Sequence, residues 1–132
     1  MNRLILSALL ASGLAATAFA PAFAEDYASG AIKTMKTAKG EIFTDAKGMA
    51  LYTFDKDAAG VSNCYGDCAV KWPPVTAAAG AKADDELSLV TRQDGAQQWA
   101  FKGKPLYFWK GDKKPGDVSG DGMGGVWHLA KE

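Results

Sequence analysis

Apolar and polar positions alternate from residue 31 onward, and the alternation predicts short strands. Ala31-Ile32-Lys33-Thr34-Met35-Lys36 reads as a half-buried strand behind a frayed leader, Glu25–Gly30. Glu41–Thr44 and Met49–Phe54 flank Asp45-Ala46-Lys47-Gly48, whose Asp start and Gly end suit a hairpin turn. Along the second of these strands Leu51 shares a face with Thr53, and Tyr52 shares the other with Phe54, so one face is wet and one dry. Leu87–Thr91, a turn at Arg92–Gly95, Gln97–Phe101, a turn at Lys102–Lys104, Pro105–Trp109 and Val126–Ala130 continue the pattern. Pro105 cannot donate to a central ladder, so it marks a strand start or an edge. The total is about seven short strands with little helix, one or two helical turns being expected within Cys64–Trp72 before Pro73-Pro74 stops them.

The pattern occurs twice. An offset of 55 superposes, without a gap, Gly40 on Gly95, Lys47 on Lys102, Gly48 on Gly103, Leu51 on Leu106, Tyr52 on Tyr107, Asp57 on Asp112 and Trp72 on Trp127, with Phe54 facing Trp109. The first repeat runs over about 40–76 and the second over about 87–130. Between them lies a small, Gly-interrupted linker, about 77–86. One repeat alone cannot bury its aromatic face, so the two must share a core. The expected fold is an all-β, antiparallel domain, sandwich or barrel-like, built from two pseudo-symmetric halves.

Composition changes the picture at the N-terminus. Arg3, the apolar run Leu4–Ala16 and Ala22-Phe23-Ala24 read as a secretory signal peptide, residues 1–24, cleaved before Glu25. The mature domain, 25–132, then carries 14 basic and 15 acidic residues, since Arg3 is the one charge lost from 15 of each. So even a balance gives no footprint for nucleic acid or an anionic membrane. No transmembrane segment remains after cleavage, and the expected location is periplasmic or secreted.

Several residues carry possible chemistry. Cys64 and Cys68 are the two cysteines, and an exported chain favours a disulfide between them. A copper or zinc site is the second reading, with His128, the lone histidine, and Met123, which matches Cys68 across the repeat, joining the thiolates. Thiol–disulfide exchange is the third, against the absence of C-x-x-C spacing. Tyr52, Phe54, Tyr107 and Trp109 are expected in a pseudo-symmetric core. Asp57 and Asp112 follow them at equal distances, either as caps accepting N–H bonds from the next loop or as a paired acid site. No second acid or histidine travels with either copy, which speaks against catalysis. Asp112, Asp117 and Asp121 among glycines resemble a calcium loop in composition but not in spacing, and read as a solvated turn.

The two motifs, Tyr52-Thr53-Phe54-Asp55-Lys56-Asp57 and Tyr107-Phe108-Trp109-Lys110-Gly111-Asp112, resemble the Y-x-[FWY]-x-x-D pattern of a bacterial family of secreted repeats and predicted lipoproteins. The resemblance extends through Cys64-x-x-x-Cys68, Trp72-Pro73-Pro74, Gly103–Tyr107 and Trp127-His128. It departs at the front, where no lipobox cysteine stands. The family is defined by sequence, so the resemblance implies export and a repeat architecture but no reaction. The function expected is a non-enzymatic, envelope-associated binding module for an unidentified envelope ligand or protein, without a cofactor, whose loops after the two motifs carry recognition. The alternative is a periplasmic copper- or zinc-binding or redox protein using Cys64, Cys68 and His128.

Overall fold

A computed structural model describes residues 26–84 and 86–132 of the chain. The signal peptide expected over 1–24 lies outside the described residues. Among the described residues eight strands are found in chain order: β1 Asp26–Tyr27, β2 Ile32–Thr37, β3 Gly40–Asp45, β4 Tyr52–Phe54, β5 Leu87–Thr91, β6 Gln97–Phe101, β7 Lys104–Pro105 and β8 Trp127–Leu129. They form three antiparallel sheets, β1-β2-β3, β4-β8 and β5-β6-β7, which do not close into a barrel. One five-residue helix, α1, spans Asp67–Lys71 and stops at Trp72, ahead of the two prolines.

The two halves use the same local wiring. In the first, Leu51 N–H donates to Phe43 C=O (3.0 Å) and Ala130 N–H to Leu51 C=O (2.8 Å). In the second, Leu106 N–H donates to Trp99 C=O and Val75 N–H to Leu106 C=O, both at 2.9 Å. Leu51 and Leu106 are 55 apart, as are Val75 and Ala130, but Phe43 and Trp99 are 56 apart. The turn after β3 is thus one residue longer than the turn after β6. Phe43 therefore corresponds to Trp99, and the ungapped match of Gly40 to Gly95 is not a structural equivalence.

Each half also closes on the other. Val75, late in the first copy, bonds Leu106 of the second, while Ala130, late in the second, bonds Leu51 of the first. The core has two clusters. One gathers Ile32, Phe43, Leu51, Val75, Leu87, Trp99 and Leu106, and the other gathers Ile42, Tyr52, Cys64, Trp72, Tyr107, Trp127 and Leu129. Leu51 and Tyr52 are both 0 % exposed because they point into different clusters, as do Leu106 and Tyr107. This corrects the expectation of one wet and one dry face: the strand runs between two cores, and only Thr53 and Phe54 beyond it become half-exposed.

Three further boundaries differ from the sequence reading. The leader is not frayed over residues 26–30: β1 pairs with β2, and Tyr27 stacks edge-on against Phe43. The strand expected over 105–109 ends at Pro105, after which Tyr107 pairs with Tyr52 on one side and Pro74 on the other. The linker is held down, since Ala77 N–H donates to Gln97 C=O (2.8 Å) and the Asp84 carboxylate accepts Ala28 N–H (3.1 Å).

Candidate functional site

The two motifs meet at a pseudo-twofold axis. Tyr52 N–H donates to Tyr107 C=O at 2.8 Å and Tyr107 N–H returns the bond to Tyr52 C=O at 2.9 Å. This is the hydrogen-bonded pair of an antiparallel ladder made by equivalent residues of the two copies. Their side chains cross as well: Tyr52 Oη donates to Asp112 Oδ2 and Tyr107 Oη to Asp57 Oδ2, each at 2.7 Å. Each motif's tyrosine is therefore satisfied by the other motif's aspartate.

The tryptophans stack on the same axis. Trp72 and Trp127 lie parallel, with centroids 3.8 Å apart and planes at 1°. Phe54 stacks on the outer face of Trp127 (4.2 Å, 11°) and Trp109 on that of Trp72 (4.3 Å, 32°). Tyr52 meets Trp72 edge-on at 5.3 Å and Tyr107 meets Trp127 at 5.2 Å, the arrangement the ring quadrupoles favour. Gly120 closes the seam; a Cβ there would come within 2.8 Å of Trp72 and 3.0 Å of Trp109.

Both carboxylates accept more than the phenols. Asp57 takes Asn63 N–H (2.7 Å), and Asp112 takes Ser119 N–H (2.9 Å) and Ser119 Oγ (2.7 Å). Each one thus pins the loop that follows it. Burial, followed by the bond to an acid, pushes both phenols above their ordinary pKa. Burial also raises Asp57, outweighing its bonds from Tyr107 and Asn63.

Where the copies differ, polar chemistry appears. Arg92 is buried and forks: Nη1 donates to Gln98 Oε1 (2.7 Å) and Ser62 Oγ (3.1 Å), and Nη2 to Cys64 C=O (2.9 Å). Ser62 Oγ lies 2.6 Å from the Tyr107 hydroxyl. With Tyr107 donating to Asp57, the serine proton goes to Tyr107, and the chain runs from Arg92 through Ser62 and Tyr107 to Asp57. Sequence reasoning placed Arg92 in a turn and missed this inward fork. The available signal was composition, since Arg92 is the sole arginine after Arg3 against 13 lysines. A planar multi-donor is what one buried hydroxyl, amide and carbonyl together require.

Cys64 and Cys68 form a disulfide (S–S 2.05 Å), with Cys64 buried in the tryptophan cluster. In this form neither sulfur is a thiolate. His128 sits on β8 between buried Trp127 and Leu129 with its own side chain exposed, so it faces away from that cluster. Its Nε2 lies 2.8 Å from Asp55 Oδ2. Met123 is 39 % exposed on the glycine-rich loop. The structure therefore does not gather Cys64, Cys68, His128 and Met123 on one face, and no three His, Cys, Asp or Glu side chains group as metal ligands among the described residues. Asp117 and Asp121 also point elsewhere: Asp117 accepts Lys113 and Lys114 N–H, and Asp121 accepts Leu129 N–H, bonds that lower both carboxylates.

The Asp55–His128 pair opens onto the surface. Two clefts, ≈ 250 and ≈ 360 Å³, share Thr53, Asp55, Lys102 and Lys104; Phe54, Asp57 and Ala58 line the first, and His128 and Lys131 the second. At the pseudo-equivalent positions stand Lys110 and Pro73, which cannot make the pair. The Asp55–His128 pair is thus a feature of one side only.

Fold and site define a tandem-repeat β protein in which two copies of one aromatic–aspartate motif complete each other. The chain belongs to the family described as a secreted repeat of unknown function, which matches it twice, over residues 33–76 and 88–131. Those bounds bring β2 into the first repeat, ahead of the start at about residue 40 that the identities suggested, and keep β5 in the second. Comparison with curated proteins and with solved structures gives no match.

Proposed function

We propose that this secreted-repeat protein is a non-enzymatic binding module of the bacterial periplasm or envelope, exported by a cleaved segment over residues 1–24. Its recognition surface is the double cleft around Thr53, Asp55, Lys102, Lys104 and His128. The observation that supports this reading is the break in symmetry: the seam's tyrosines and aspartates are duplicated and bond one another internally, whereas the Asp55–His128 pair occurs in one half and opens onto the solvent-facing clefts. Ala58 and Ala59, on the loop after the first motif, line one wall, which fits a loop-borne recognition surface. The mixture of lysines, a carboxylate and an imidazole suits a polar ligand rather than an apolar one.

Site-specific photo-crosslinking in the exported protein tests the assignment. A crosslinking residue at position 104 is expected to trap a discrete adduct, and one at exposed Lys82 on the linker is not. Equal labelling from both positions, or none from 104, would remove the cleft from consideration.

A further inference from the structure

The seam holds more chemistry than packing requires. Three indoles are in contact in sequence: Trp127 and Trp72 are stacked at a centroid spacing of 3.8 Å, and Trp109 lies against Trp72 at 4.3 Å, tilted by 32°. Phe54 caps the far end. Its ring lacks the electron-rich nitrogen of indole and resists one-electron oxidation, so the stack is electronically open at Trp109, which is half-buried beneath the glycine-rich loop. A phenol stands edge-on to each of the two inner indoles, at 5.3 Å for Tyr52 and 5.2 Å for Tyr107. Both phenols are 0 % exposed, and each donates at 2.7 Å to a carboxylate.

Oxidising a phenol by one electron makes its O–H strongly acidic, so oxidation is easy only where a base takes the proton at once. Asp57 and Asp112 sit at that point. Burial also prevents water and bulk reactants from reaching the phenol oxygen, which lengthens the life of a radical there.

We propose that the seam relays oxidising equivalents, accepting a hole from a one-electron oxidant at Trp109 and holding it as a neutral tyrosyl radical on Tyr107 or Tyr52. One electron leaves Tyr107, passes through Trp127, Trp72 and Trp109, and reduces the oxidant by one electron. The Tyr107 O–H bond breaks and an O–H bond forms on Asp57 Oδ2. On the other side, Tyr52 gives its electron through Trp72 and Trp109 and its proton to Asp112. A one-electron reductant arriving at Trp109 reverses both movements. The oxidant class is a high-potential metal complex or an oxygen-centred radical. This activity is independent of the cleft and of any ligand bound there.

The test is flash-quench oxidation of the folded, disulfide-bonded chain with a photogenerated ruthenium(III) polypyridyl complex, read by transient absorption and electron paramagnetic resonance. The expected result is a tyrosyl radical that survives in the Tyr27→Phe/Tyr65→Phe double variant, which leaves the seam untouched. It should be lost in Tyr52→Phe/Tyr107→Phe, with an indole radical remaining. In Trp109→Phe its appearance should slow. In Asp57→Asn/Asp112→Asn the tyrosyl signal should give way to an indole cation radical, because no base takes the phenol proton. A wild-type chain that yields no tyrosyl radical, or one whose signal disappears with Tyr27 and Tyr65, would overturn the proposal. So would a tyrosyl radical forming at an undiminished rate in Trp109→Phe.

Discussion

Gly120 has no room for a side chain, because a Cβ would press on Trp72 and Trp109 at 2.8–3.1 Å and both rings are fixed by their neighbours. Gly120→Ala is expected to lower stability by about 1–3 kcal/mol, the usual cost of overpacking, as measured by urea denaturation. Trp72 and Trp127 are 4 % and 5 % exposed, and each is sandwiched between two rings. Trp72→Ala and Trp127→Ala should each cost about 3–5 kcal/mol by the same measurement, and similar values for the two would reflect their equivalent places. Tyr52→Phe and Tyr107→Phe keep the rings but take from each carboxylate the buried phenol bond at Oδ2, so a loss of about 1–3 kcal/mol is expected for each. At this scale the sequence was informative about identity and silent about partnership. The spacing singled out Tyr52, Asp57, Tyr107 and Asp112, yet aligning the copies sets Tyr52 beside Tyr107, not against Asp112. Cross-bonding between copies leaves no mark on an alignment of like with like.

At the scale of elements, the alternation located β2, β3, β5 and β6 within a residue or so, because each has enough length for a period of two to show. It overran β4 and β7, because Ala50-Leu51-Tyr52 and Leu106-Tyr107 are buried in succession and nothing then alternates. The one-residue difference between the turns after β3 and β6 was equally hidden. Glycines that match by number, Gly40 and Gly95, masked a shift that appears only in the hydrogen bonds of Phe43 and Trp99. The loop between Asp57 and α1 shows how a small element is secured. The disulfide ties its end to the helix, Asp57 accepts Asn63 N–H, and Arg92 reaches across from the second copy to Cys64 C=O. Replacing both cysteines by serine closes no loop in the unfolded chain and should cost about 2 kcal/mol in thermal denaturation, with the strands retained by circular dichroism. A loss of all β signal would show that the bridge, and not the shared core, holds the halves together.

At the scale of the whole molecule, stability depends on pH through groups placed by both copies. Tyr52 and Tyr107 carry folded pKa values raised by burial, so the native state keeps protons that the unfolded chain releases above about pH 10. Their contribution is complete below that pH and is lost as pH rises through the folded values. Alkaline unfolding followed by phenolate absorbance should therefore coincide with loss of structure for these two, and Tyr52→Phe/Tyr107→Phe should remove that part of the alkaline dependence. On the acid side the signs oppose. Asp121, lowered chiefly by Leu129 N–H, contributes stability that disappears as pH falls through its folded value, whereas Asp57, raised by burial, is relieved by the same protonation. The reciprocity of the seam reaches beyond this chain. A lone copy would hold a tyrosine without its acid and an indole with one bare face, and could be completed only by a second copy of itself across the same axis. Motifs of this kind count in pairs: a protein assembled from them grows by twos, and an unpaired third copy would carry its own vacancy to the surface.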